Sequence, residues 1–99
     1  MRERGFGIDI GGSGIKAARV DLVQGTLASE RVRLRTPHPA TPVAVARTVA
    51  RLVHDGRWNG PVGIAMPGIV KHGVVHAIAN LDRAWVGVDA RALFEQAIG

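Results

Sequence analysis

An α/β fold is what this chain predicts, and three patterns predict it. Period-two alternation fills the N-terminal third, broken by glycine turns. A helical period then runs over residues 42–55, opened by Thr41 and Pro42. A short apolar strand, a tight hairpin and a second capped helix complete the order. Strands come first and alternate with helices only later, so the opening reads as an antiparallel meander of three strands.

The first strand spans Gly5 to Ile10 and ends in a glycine-rich turn. Extended structure resumes from Ile15 to Leu22, and Gln24-Gly25 marks the next turn. From Leu27 to Arg35, Val32 and Leu34 alternate with Arg31, Arg33 and Arg35, which predicts a third, half-buried strand. The Pro-rich stretch Thr36 to Pro42 is too short for a domain linker. It delivers Thr41 as N-cap and Pro42 as first helical residue. Val45, Val49, Leu52 and Val53 fall on one face of the helix, and Gly56 is its expected stop. Pro61 to Met66 predicts a strand, ended by Pro67-Gly68. Ile69-Val70 and Val74-Val75 flank Lys71-His72-Gly73 as a hairpin. Ala77 to Val88 reads as irregular, and Asp89 caps a last helix through Leu93, Phe94 and Ile98.

Composition narrows the function classes. A hydrophobic fraction of 46% excludes a disordered chain. With four aromatics (Phe6, Trp58, Trp85 and Phe94), the core rests on Val, Ile, Leu and Ala. The absence of cysteine excludes disulfides and thiolate metal sites. No apolar run nears the roughly 20 residues of a membrane helix, so no membrane partner is expected. The N-terminus enters a strand at once, with no leader expected. The net charge of +5 comes from eleven Arg and two Lys against eight acids. Arginine suits bidentate contact with phosphate, but a GC-rich coding bias gives the same excess, and the charge leaves both open. Few aromatics and no stacking motif argue against a nucleic-acid partner.

The segment Gly7 to Lys16 carries the chemistry. An apolar strand holds one acid, Asp9, expected on its buried side, and runs into Gly11-Gly12-Ser13-Gly14. Backbone binding of phosphate needs amide groups converging on one oxygen cluster. Glycine allows both the dihedrals of such a turn and the close approach. The spacing fits neither the P-loop, which needs a Lys-Ser/Thr pair, nor the dinucleotide fingerprint, which must open a helix. An acid inside an apolar strand costs free energy unless something binds it.

The stretch Asp9-Ile-Gly-Gly-Ser-Gly-Ile-Lys16 resembles the first phosphate motif of the sugar-kinase/actin/Hsp70 superfamily. In detail the chain resembles the ROK family, in its polyphosphate glucokinase branch. The resemblance continues through Val20-Asp21-Leu22, Thr36 to Pro42 and Gly60-Pro-Val-Gly63. It includes Pro67-Gly-Ile-Val-Lys-His-Gly-Val-Val75 and Ala79-Asn-Leu-Asp-Arg-Ala-Trp85, and so covers nearly the whole chain in order.

The resemblance implies a ribonuclease-H-like fold of the hexokinase/actin/Hsp70 type, with residues 1–99 as part of an N-terminal lobe. It implies phosphoryl transfer from inorganic polyphosphate, and also ATP, to the 6-hydroxyl of glucose. Gly11, Gly12, Ser13 and Gly14 would cradle the donor phosphate, and Lys16 would neutralise its charge. Asp9 would hold Mg²⁺ through water. Gly68 and Asn80 would border glucose, and Lys71 and His72 would touch a long polyphosphate. A cytoplasmic homodimer is also implied. The family includes sugar-responsive regulators without kinase activity, but those carry a DNA-reading helix ahead of the first strand, and only Met1 to Arg4 stand there.

Two family motifs are missing. No Asn-Asp-Ala/Ser motif supplies a catalytic base, and no Gly-Thr-Gly-x-Gly supplies a second phosphate clamp. Asp21, Asp55, Asp82 and Asp89 lie outside such a context, and no catalytic residue is assigned. The expectation is a domain cut before its catalytic-base strand. His38 and His54 are expected at the surface, with no histidine metal site.

Overall fold

A computed structural model describes residues 3–99. Its main sheet contains β1 (Arg4–Ile10), β2 (Gly14–Asp21), β3 (Thr26–Leu27), β4 (Val32–Arg35) and β5 (Val62–Ala65). A separate hairpin is formed by β6 (Gly68–Lys71) and β7 (Val74–Ile78). The helices are α1 (Pro42–Asp55) and α2 (Ala90–Ile98), with a 3₁₀ turn at Arg83–Trp85.

β1 lies inside the sheet, antiparallel to β2 and parallel to β5. The expected third strand exists as two pieces on the same edge of β2. β3 pairs with Val20 and Asp21, and β4 pairs with Gly14 to Ala17. Between them the Ser29 hydroxyl accepts from the Arg19 amide at 2.9 Å. A side chain thus takes a ladder position that the strand backbone would otherwise fill, which divides the strand.

Alternation along β1 and β2 decides which face is covered. Phe6, Ile8 and Ile10, with Ile15 and Ala17, join Val45, Val49, Leu52 and Val53 of α1 in one core. α2 packs against α1 and brings Phe94 to Trp85, ring centroids 5.8 Å apart. Trp85 is fully buried, and its indole N–H donates to the Ala40 carbonyl at 3.0 Å. Gly7, Asp9 and Lys16 alternate onto the other face, and Gly63 and Ala65 of β5 join them by register.

Both helices start where the sequence places them. The Thr41 hydroxyl accepts from the Ala44 amide at 3.3 Å, and the Asp89 carboxylate accepts from the Ala92 amide at 3.0 Å. Gly56 follows α1 for a different reason than expected. It has a right-handed φ of −74°, while Arg57 takes the left-handed position at φ 50°. A Cβ on Gly56 would meet the Phe6 ring at 3.1 Å, so glycine is there for space. The stretch expected to be irregular is partly ordered. β7 runs to Ile78, and Asp82 caps the 3₁₀ turn through the Ala84 amide at 2.8 Å.

Trp85 anchors the second half of the fold, whereas Trp58 stacks on Phe6 at 5.9 Å and stays half-exposed. Trp85→Ala is expected to cost about 3–5 kcal/mol of stability, and Trp58→Ala clearly less. Urea unfolding followed by circular dichroism checks the order, and an equal or reversed loss contradicts it.

Candidate phosphate-binding site

The β1–β2 connection is a tight return. The Gly11 amide donates to the Gly14 carbonyl at 2.9 Å, leaving Gly12 and Ser13 at the tip. Three carbonyls of the turn, those of Gly11, Ser13 and Gly14, are occupied. Thr36, just past β4, donates its hydroxyl to the Gly11 carbonyl at 2.6 Å and its amide to the Ser13 carbonyl at 3.2 Å. Arg33 adds a guanidinium N–H to the same Ser13 oxygen at 3.1 Å. The amides of Gly12 and Ser13 make no hydrogen bond among the described residues. Three acceptors are consumed and two donors are left free, a balance that favours an anion.

Space requires glycine most clearly at Gly12. None of Gly11, Gly12 and Gly14 has a positive φ. A Cβ on Gly12 would lie 2.8 Å from the Asn80 Cβ, and one on Gly14 would collide with the Arg33 guanidinium. Of the two properties glycine offers such a turn, close approach is the one used, and a positive φ is not. The bare backbone lets Asn80 press on one side of the turn and Arg33 lie across the other.

Asp9 also differs from expectation. Its side chain is exposed. Phe6, Ile8 and Ile10 occupy the helix-covered side of β1, and alternation turns Asp9 to the open side. Burial therefore gives no reason for a bound partner. Position does: Asp9 faces Lys16 across the β1–β2 pair and sits beside Ala65 of β5. Asp9, Lys16 and Arg31 border a hollow of about 410 Å³ on this face.

The base of the β6–β7 hairpin joins the same corner. Asn80 is left-handed, with φ 62°, and its side chain lies against Gly12. The Ala79 amide donates to the Pro67 carbonyl at 2.8 Å, tying Asn80 to Gly68. A Cβ on Gly68 would strike the Ala77 carbonyl. Lys71 and His72 are at the other end of the hairpin. His72 and Gly73 form its two-residue tip with φ of 51° and 82°. That tip rests on the start of α2, with Gly73 facing Arg91 and Asp89. The structure thus gathers Asp9, Lys16, the glycine turn, Gly68 and Asn80, and sets Lys71 and His72 apart.

The remaining acids have local uses. The buried Asp21 accepts from the Val23 and Gln24 amides at 3.0 Å each. Asp82 and Asp89 are caps, and Asp55 pairs with Arg51 at 3.5 Å. His38 and His54 are exposed, and no cluster of three metal-ligating side chains exists among the described residues. No described helix is long and apolar enough to cross a membrane. Sequence reasoning missed Thr36 as part of the site, and it gave no sign that Arg33, one of a stripe of three arginines, meets the Ser13 carbonyl. Thr36 resembles any threonine before a proline, and only its complete burial marks it.

The sequence pattern of the ROK family matches residues 5–99. The chain belongs to the ROK family. It is 53% identical over 90 residues to the polyphosphate glucokinase of Mycobacterium tuberculosis, covering 91% of this chain and 34% of that protein. The polyphosphate glucokinase of Mycobacterium leprae matches at the same identity, with 28% of its length covered. This ROK chain therefore spans about a third of the length of the curated relatives it matches. Among solved structures, the inorganic polyphosphate/ATP-glucomannokinase of Arthrobacter sp. strain KM superposes with a TM-score of 0.91 and 46% identity. That match covers 97% of this chain and 41% of the other. The ROK family glucokinase of Streptomyces griseus, solved with glucose and AMPPNP, gives 0.77 at 26% identity, over 98% and 31% of the two chains. The expected fold of the hexokinase/actin/Hsp70 type is borne out by these neighbours.

Thr36→Val keeps the shape of the side chain and removes the donor to Gly11. It is expected to cost about 1–3 kcal/mol, because a part-buried carbonyl loses its partner. Thr36→Ser should restore most of the loss. Urea titration of the three proteins checks this, and equal stability of Thr36→Val and the parent contradicts it.

Proposed function

We propose that this ROK chain is the phosphate-holding part of a glucokinase. The full-length protein transfers a phosphoryl group from inorganic polyphosphate, or from ATP, to the 6-hydroxyl of glucose. The observation that carries this reading is the glycine turn. Its Gly11 and Ser13 carbonyls are locked by Thr36 and Arg33, its Gly12 and Ser13 amides are free, and Asp9 and Lys16 flank it. Phosphoryl transfer depends on positioning and on neutralising charge, which such a corner supplies. The polyphosphate glucokinases of two mycobacteria and the glucomannokinase of Arthrobacter, by their names, support the donor and the sugar.

The roles follow from position. Gly11, Gly12, Ser13 and Gly14 hold the transferred phosphate, and the Lys16 ammonium offsets its charge. Gly68 and Asn80 border the sugar, beside the turn. Lys71 and His72 serve, at most, a distant stretch of donor. Asp9 suits Mg²⁺, since that ion commonly takes one or two carboxylates and completes its shell with water and phosphate oxygens. When bound, Mg²⁺ would draw charge off the phosphoryl oxygens. The general base belongs to the rest of the protein, because Asp21, Asp55, Asp82 and Asp89 are committed to caps, a turn and an ion pair. Residues 1–99 are then part of the first lobe of the kinase, which acts as a cytoplasmic homodimer.

Asp9→Ala in the full-length parent is expected to lower glucose 6-phosphate formation at least about a hundredfold. Glucose affinity, read by calorimetry, should stay near that of the parent. Unchanged turnover would remove Asp9 from the site, and a parent inactive with both donors would remove the kinase reading.

A further inference from the structure

We infer that Thr36 is a positioning residue for phosphoryl transfer, and that its hydroxyl fixes the plane of the Gly11–Gly12 peptide so that the Gly12 amide is aimed at the donor. This deepens the phosphoryl-transfer reading above and rests on it.

The turn cannot fix that plane by itself. The Gly11–Gly12 peptide has glycine on both sides, and glycine gives the adjoining dihedrals the widest freedom. A tight turn normally closes with the amide of its fourth residue on the carbonyl of its first. Here that bond would run from the Gly14 amide to the Gly11 carbonyl. Among the described residues only the reverse bond exists, from the Gly11 amide to the Gly14 carbonyl. The Gly11 carbonyl takes the Thr36 hydroxyl instead, at 2.6 Å, and has no other donor among the described residues. The Ser13 carbonyl, by contrast, has two donors, the Thr36 amide and Arg33.

A carbonyl and the amide that follows it point opposite ways in one trans peptide plane. Holding the Gly11 carbonyl on Thr36 therefore turns the Gly12 amide away from Thr36, where it meets no acceptor among the described residues. The same plane rotated by half a turn would offer the phosphate an oxygen in place of an N–H. One hydroxyl thus decides the sign of the partial charge at that point of the cradle.

Thr36 suits this task by sequence and by burial. It precedes Pro37, which disfavours helical dihedrals at Thr36 and keeps the chain extended beyond β4. From there its amide prolongs the β2–β4 ladder to Ser13, and its hydroxyl is carried to Gly11, 25 residues away in sequence. Thr36 is 1% exposed. A buried hydroxyl without a partner costs free energy, so the donor needs this acceptor as much as the carbonyl needs the donor. Valine has nearly the same shape and the same branched stiffness, so packing alone does not call for a hydroxyl here.

The test compares the full-length parent with Thr36→Val, Thr36→Ser and Val49→Ala. Thr36→Val should lower kcat/KM for the donor about ten- to a hundredfold, the scale of a misplaced reacting group. The factor should be the same for polyphosphate and ATP, because both set a phosphate on this turn. KM for glucose should stay near that of the parent. Thr36→Ser should recover most of the rate, since the hydroxyl returns. Val49 is fully buried in the core under α1, and Val49→Ala loosens that core without touching the turn. It should leave kcat/KM near that of the parent at a temperature where circular dichroism shows every variant folded. An equal fall in Thr36→Val and Val49→Ala reduces the effect to general loosening and overturns the inference. A full rate in Thr36→Val, or a Thr36→Ser protein no faster than Thr36→Val, also overturns it. Calorimetric binding of inorganic tripolyphosphate separates the two readings. Affinity lost in Thr36→Val and regained in Thr36→Ser, in a parent that transfers nothing, keeps the role of Thr36 at the anion turn and discards the kinase. An active parent whose tripolyphosphate affinity and rate ignore both substitutions keeps the kinase and discards Thr36.

Discussion

The site depends on where the carbonyl oxygens of one turn are directed. A glycine turn has as many acceptors as donors, and an anion is repelled by the first and held by the second. Here the Gly14 carbonyl is spent on Gly11, and those of Gly11 and Ser13 on Thr36 and Arg33. The anchor comes from the far side of β2, since Thr36 directly follows β4. Pairing of β4 on β2 therefore decides how many of the turn's acceptors stay open to oppose an anion.

The division of the sheet into two faces follows from that frame. Apolar residues of β1 and β2 meet α1, and the core is closed by Trp85 and Phe94. The other face carries Asp9 and Lys16 where β1 and β2 meet the turn, with glycine and alanine of β5 beside them. One alternation thus gives both the stability of the domain and the exposure of its charges. Burying Asp9 would have cost free energy, because a carboxylate taken from water without partners loses its solvation.

The hairpin of β6 and β7 shows how one element is split between two tasks. Its base presses Asn80 against Gly12, and its tip rests on α2. A basic tip in the sequence gives no hint of this, because a hairpin has two ends and only packing says which one meets the turn.

Local rules were legible from the residues. Thr41 and Asp89 cap their helices, His72-Gly73 forms the two-residue tip, and the glycine turn follows the first strand. These depend on neighbours a few positions away, which any reader of the chain can see. The family was legible too, through motifs in order along nearly its whole length. Tertiary structure alone decided that Asp9 is exposed, that the third strand is two pieces, and that Gly12 makes room for Asn80 rather than supplying a positive φ. It alone placed Thr36 and Arg33 on the turn, 25 and 20 residues away in sequence. Those facts come from pairing between distant strands, and pairing register is set by the whole buried face at once rather than by any short run of residues.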